Sequence, residues 1–283
     1  MRFFLQIIIF FILFYHLNFS QHYLFTGSIG KFYRSSSFSI NDAGFIYVAD
    51  SQSNEITKLD TLGSVIRFIG GYGWEQSAFD DPVYLYASTL NVYVSDKNNN
   101  RIQIFDKDLN FLSEFKSSNL IDKEHSFAYP TCAATSGQGD FYILDSDNNR
   151  IIKYDLNGNF RFLIGSYDAG NYMLSEPKRF SIDSKNNLWV IDNSSLLQFD
   201  QFGNGILRID LSFEPQNISI NSDILLINSD DKVFIKNIND ADSEITEVKL
   251  TPKIEQKIIH AAFLNSKLYV LTPKSILVYS ESK

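Results

Sequence analysis

Six short apolar runs, each ending in Asp, Asn or Thr, recur along the chain at intervals of about 36 to 49 residues. They are Ile46-Tyr47-Val48-Ala49-Asp50, Val92-Tyr93-Val94-Ser95-Asp96, Phe141-Tyr142-Ile143-Leu144-Asp145, Leu188-Trp189-Val190-Ile191-Asp192, Ile224-Leu225-Leu226-Ile227-Asn228 and Leu268-Tyr269-Val270-Leu271-Thr272. A second apolar run follows each after roughly four to six residues, which is the spacing of a hairpin. A repeat of this length that holds several strands and no helical periodicity reads as the blade of a β-propeller. The expected fold is all-β: a six-bladed β-propeller of four-stranded blades.

Each unit parses into four strands. The innermost candidates are 83–88, 131–135, 179–182, 217–220 and 258–264, with 38–40 opening the first unit. Fourth strands fall at 65–69, 111–115, 160–164, 206–211 and 245–250. The turns before them, such as Asp60-Thr61-Leu62-Gly63 and Asp155-Leu156-Asn157-Gly158, put Gly where a positive φ is needed. In the second unit, Asp106-Lys107-Asp108-Leu109-Asn110 offers Asn for that role. The sixth unit leaves no room for a fourth strand. Tyr23-Leu24-Phe25-Thr26 has no partner of its own, so it is expected to complete the last blade and close the ring, removing an exposed edge.

Residues 1–20 read as a secretory signal peptide: Arg2 precedes an apolar stretch from Phe3 to Phe14, and Ser20 ends the region. The stretch is short for a membrane span, which needs about 20 apolar residues. Residues 21–283 then form one propeller domain, secreted or held in the periplasm or cell envelope. No stable membrane span is expected after cleavage. A net charge of −8 disfavours nucleic acid, whose phosphates an acidic surface repels. Cys132, the one cysteine, rules out an internal disulfide and suits a small buried position.

Two units carry a longer string. Asp96-Lys97-Asn98-Asn99-Asn100-Arg101-Ile102 and Asp145-Ser146-Asp147-Asn148-Asn149-Arg150-Ile151 resemble NHL repeats, as do the linkers Gly70-Gly71-Tyr72-Gly73 to Asp81-Pro82 and Gly165-Ser166 to Glu176-Pro177. The resemblance is strong in units two and three, recognisable in one and four, and faint in five and six. It implies six blades, in agreement with the independent count. No Trp-Asp pair marks a WD-type blade, and the diglycine Gly70-Gly71 occurs once, so a kelch reading lacks its repeated signature.

Asp at a strand end can accept turn amides. Arg101 and Arg150 offer donors that tie such Asp side chains and carbonyls together, and they are read first as scaffold. Asp145 to Asn149 has the spacing of a calcium loop but lacks the Gly and Glu that would complete one.

Function is expected around this frame. The linkers and hairpin turns that share one face carry Tyr72, Trp74 and Tyr167, which with Arg101 and Arg150 are the candidate contacts for an extracytoplasmic protein or glycan. Asp81, Glu176, Glu214 and Glu255 precede innermost strands; a ring of them would bind a divalent cation at the channel mouth. That is the enzyme alternative, because calcium-dependent lactonases and a zinc-dependent amidating lyase are propellers of similar outline. The mature His residues, His22, His125 and His260, are too scattered for a local metal motif. His260 falls in an innermost strand, where a satisfied core histidine is the expectation.

Overall fold

In a computed structural model of the protein, residues 22–117, 125–240 and 242–282 are described. The segment read as a signal peptide lies outside them. Among the described residues no helix is long and apolar enough to cross a membrane.

The described residues begin with β1 (His22–Ile29) and then build five sheets in sequence order. Blade 1 is β2 (Ser35–Ile40), β3 (Ile46–Asp50), β4 (Glu55–Leu59) and β5 (Val65–Gly70). Blade 2 is β6 (Pro82–Ala87), β7 (Asn91–Asp96), β8 (Arg101–Asp106) and β9 (Phe111–Lys116). Blade 3 is β10 (Pro130–Thr135), β11 (Phe141–Asp145), β12 (Arg150–Tyr154) and β13 (Phe160–Ile164). Blade 4 is β14 (Pro177–Ile182), β15 (Leu188–Asp192), β16 (Ser195–Phe199) and β17 (Gly205–Asp210). Blade 5 is β18 (Asn217–Asn221), β19 (Ile224–Asn228), β20 (Val233–Asn237) and a two-residue β21 (Thr246–Glu247). The sixth sheet joins β22 (Lys249–Thr251), β23 (His260–Leu264), β24 (Lys267–Leu271) and β25 (Ile276–Glu281) to β1, in the order β22-β1-β25-β24-β23. The molecule is a six-bladed β-propeller.

The second strands alternate little because both faces of a blade are covered, and β3, β11 and β15 are buried throughout. Among the described residues six apolar clusters fill the spaces between neighbouring blades. One packs Tyr142 and Leu144 of blade 3 against Phe180 and Val190 of blade 4; another packs Phe38 and Val48 of blade 1 against Tyr269 and Leu271 of blade 6. The ring therefore has no single centre of hydrophobic mass. Each blade depends on both neighbours, as repeat architectures do.

Ring closure follows the expected route. β1 pairs antiparallel with β25, from Tyr23 opposite Glu281 to Ile29 opposite Ile276. The fourth strand expected at 245–250 is not one strand. Only Thr246 and Glu247 pair with β20; the Val248 amide bonds the Val233 carbonyl, and the chain then crosses to run parallel to β1 as β22. The sixth sheet thus has five strands, and blade 5 is the most thinly edged. In the turn at Asp106 the positive φ falls on Leu109, not on Asn110. Leu109 is 1% exposed in the cluster between blades 1 and 2, so burial offsets the cost of a left-handed leucine.

The inner strands β2, β6, β10, β14, β18 and β23 run in the same direction around the axis. Hydroxyls tie them together: Ser36 Oγ donates to the Pro82 carbonyl at 2.6 Å, and Ser219 Oγ to the Ala261 carbonyl at 2.7 Å. Their first residues define a leading face, which also carries the inter-blade linkers and the turns between second and third strands. The opposite, trailing face carries the remaining turns.

Candidate functional site

The leading face is built on the repeated Asp. Asp50, Asp96, Asp145 and Asp192 each accept amide N–H groups from the linker that enters their own blade: those of Arg34, Asp80, Ala128 and Ser175. The Asn of the Asn-Arg string adopts a positive φ at Asn100 and Asn149, as does Asn54, which Glu55 follows in place of Arg; Asn tolerates this conformation better than most residues. Asn54 Oδ1 accepts the Asp81 N–H and Asn100 Oδ1 that of Tyr129, so each turn also grips the linker into the next blade.

Arg101 completes this frame. Its side chain is 1% exposed, and all five N–H donors are placed. Nε donates to Asp96 at 2.7 Å, Nη1 to the Trp74 carbonyl and Glu114, and Nη2 to the Glu75 and Ala78 carbonyls. Every donor is used within the frame, so Arg101 acts as a tie. Arg150 repeats the geometry, with Nε on Asp145 and Nη2 on the Ser126 carbonyl. Asp145, at the head of the calcium-like spacing, is occupied by Arg150, by Asn148 and by the Ala128 amide.

What the frame holds out is aromatic. Tyr72 is 71% exposed, Trp74 70% and Tyr167 88%; Tyr33 and Tyr129 stand on two further linkers at 64% and 45%. Sequence reasoning missed the last two: Tyr33 lies outside the repeated linkers, and Tyr129, which precedes Pro130 as Asp81 precedes Pro82, reads as part of the strand that follows. Tyr172, on the same linker as Tyr167, folds back edge-on to Phe199 at 6.1 Å.

The acids of this face disperse. Asp81 lies 3.9 Å from Lys97, its φ is positive and its amide is held by Asn54. Glu214 pairs with Lys178 at 2.9 Å, whereas Glu176 and Glu255 are exposed. Among the described residues no three His, Cys, Asp or Glu side chains come together in a way that could hold a metal ion.

A concavity lies on the axis. Its volume is about 390 Å³, it is lined by inner strands of all six blades, and it opens on the trailing face past Asp42, Thr89, Gly137 and Ser222. Phe38, Tyr84, Phe180, Ile218 and His260 line its inner end. Towards the leading face Arg179 crosses the axis from blade 4 to the Val83 carbonyl of blade 2 and lies 5.5 Å over the Tyr84 ring, closing that side.

His260 is 4% exposed; neither ring nitrogen makes a well-formed hydrogen bond to the protein, although backbone groups of Ile218 and Phe38 lie close enough to act on the imidazole. Burial, with the nearby Arg179 charge adding to it, pushes the imidazole down to about 3. It is therefore neutral at physiological pH, and the core histidine expected from the sequence is buried, with only loose backbone contacts at its ring nitrogens. Cys132, also beside Arg179, has its thiol raised to about 11 by burial and is inert as a nucleophile. The other two histidines are elsewhere: His22 meets Thr251 Oγ1 at 2.7 Å in the closing sheet, and His125 stacks on Phe160.

No family model matches the chain. It is 29% identical over 140 residues to the protein brain tumor of Drosophila melanogaster, a stretch that covers 48% of this chain and 13% of the fly protein. Solved structures it resembles include virginiamycin B lyase from Staphylococcus aureus, with a TM-score of 0.61 at 15% identity over 88% of this chain and 95% of that one. A streptogramin B lyase structure superposes with a TM-score of 0.62 at 18% identity over 92% and 86%. At such identities the likeness is one of fold.

Proposed function

We propose that the chain is an NHL-like propeller that works outside the cytoplasm as a non-enzymatic scaffold, taking a protein or glycan on its leading face. The observation that carries this reading is the set of exposed aromatics on successive linkers, Tyr33, Tyr72, Trp74, Tyr129 and Tyr167. Single exposed aromatics are ordinary; several on one face, held by buried ties, present contact area at low entropic cost. The Arg101 network fixes the Trp74 and Glu75 carbonyls, so the indole projects from a rigid base.

The test compares immobilised wild type with Trp74→Ala/Tyr167→Ala. Both are exposed to a panel of extracellular glycans and to an envelope extract, with melting temperatures checked in parallel. Capture by the wild type alone, at equal melting temperature, supports the leading face; equal capture by both proteins sinks it.

The alternative is a metal-dependent hydrolase or lyase with its ligands at the channel mouth. Asp81, Glu176, Glu214 and Glu255 lend it no convergent geometry, and the lyase neighbours share only the fold. A stoichiometric divalent ion in the purified protein, lost on Glu176→Gln or Glu214→Gln, would revive it.

A further inference from the structure

We propose that the axial cavity is a binding site for a small uncharged molecule with an apolar ring at one end and hydroxyl or amide groups at the other. It lies on the face opposite the aromatic linkers and is independent of them. The volume of about 390 Å³ falls within the range of small-ligand pockets, roughly 300–1,000 Å³. Ligand pockets are commonly apolar at depth with a few convergent polar groups, and this one is graded in that way.

At the inner end Phe38 meets the His260 ring edge-on at 5.1 Å and Tyr84 lies 6.5 Å from it, with Phe180 and Ile218 beside them. These residues offer a planar apolar group an aromatic seat. The polar feature there is the imidazole, which when neutral presents one N–H donor and one acceptor. Its nitrogens are themselves buried and lie by the Ile218 and Phe38 backbone, so it meets a ligand through the ring, and the hydrogen bonds come from nearer the opening.

Nearer the opening the lining turns to hydroxyls with capacity to spare. Ser39 Oγ accepts the Ala87 N–H at 3.1 Å and keeps its own proton to donate. Ser219 Oγ donates to Ala261 and keeps its lone pairs. The one ionised side chain of the lining is Asp42, at the rim, where it accepts the Thr89 hydroxyl at 2.8 Å. Arg179 is not part of the lining; it stands behind Tyr84. A cation carried to the inner end would lose its water against phenyl rings and meet the Arg179 charge behind Tyr84, and an anion would lose the same water with that guanidinium shielded by the Tyr84 ring, which together select for a neutral ligand.

The probe is phenyl β-D-glucopyranoside, titrated into the full-length mature protein labelled with nitrogen-15 in histidine. His260→Gln assigns the His260 ring signals. Saturable shifts of those signals, with contacts from the phenyl protons to the Phe38 and Phe180 rings, are expected. Ala262→Phe, which fills the lining, should weaken binding at least about tenfold while the fold persists. Should that variant fail to fold, the wild-type titration and the ring contacts still decide. No saturable shift up to the solubility limit of the probe, meaning that the cavity holds solvent only, overturns the proposal. So does a shift unchanged in folded Ala262→Phe. Benzoate is the charged counterpart: weaker binding is expected, and tighter binding overturns the uncharged class and assigns the site to anions.

Discussion

Acid should weaken this protein through His260 in a way that a single substitution reveals. The imidazole is held at about 3 in the folded protein, against 6.5 for the free side chain, because it is buried beside Arg179. Below the free value the unfolded chain takes up a proton that the native state refuses. Stability therefore rises with pH in this window and is lost as pH falls from about 6.5 towards 3. At about 1.4 kcal/mol per unit, the loss attributable to this one residue between about pH 7 and pH 4 is about 3 kcal/mol. The assay is urea unfolding of wild type and His260→Gln at several pH values across that range. Glutamine does not titrate, so the difference between the two curves isolates the imidazole. Carboxylates held below their usual range also lose stability in acid: Asp60 chiefly through the Ser64 amide, and Asp155 through the Asn159 side chain. These titrate in both proteins and cancel. Wild-type stability should fall by about 3 kcal/mol more than that of the variant. Parallel curves would show that the ring is hydrated or paired, and the reasoning from burial would fail.

Three further perturbations follow from the frame. Arg101→Met strands the fully buried Asp96 carboxylate and should cost about 3–5 kcal/mol in urea unfolding, more than Arg150→Met, whose side chain is 16% exposed; equal costs would refute the difference in burial. Deleting residues 21–30 removes β1 and exposes the edges of β22 and β25, so the melting temperature should drop sharply; an unchanged one contradicts closure by this strand. Gly70→Ala places a Cβ against the Asn54 carbonyl at a φ of +131° and should destabilise the protein by about 2 kcal/mol or more, whereas Gly27→Ala, with open space, should not.

Much of the ring was legible because it depends on local signals. The strands ending at Asp50, Asp96 and Asp145 were marked by apolar runs and Asn-containing turns, and the structure ends them at the same residues. Closure by β1 was legible by elimination, since one strand lacked a partner. The split at Val248 was not, because β22 exists only through a parallel register with β1, about 225 residues away in sequence. Convergence is likewise a three-dimensional property. Asp81 and Glu214 occupy similar places before inner strands, yet each lies beside a lysine. The axial cavity left a fainter trace: Ser37, Ser39, Ser181 and Ser219 on inner strands, and a histidine among alanines at His260-Ala261-Ala262. Nothing local indicated which end would open, because a side chain crossing the axis, Arg179, closes the other.

The seam in the sixth sheet bears on the order of assembly. Blades 1 to 4 are each one contiguous stretch of chain, so their strands can pair soon after they are made. The sixth joins Tyr23 to Glu281, and the Ser282 amide bonds the His22 carbonyl at 2.8 Å. β1 must therefore wait, unpaired, until β25 has been synthesised. During that interval both rims of an open arc present bare strand edges, the state most exposed to misassociation. The same seam is where the native ring should first breathe, so backbone amides of β1 and β25 should exchange with solvent before those of β11 or β15.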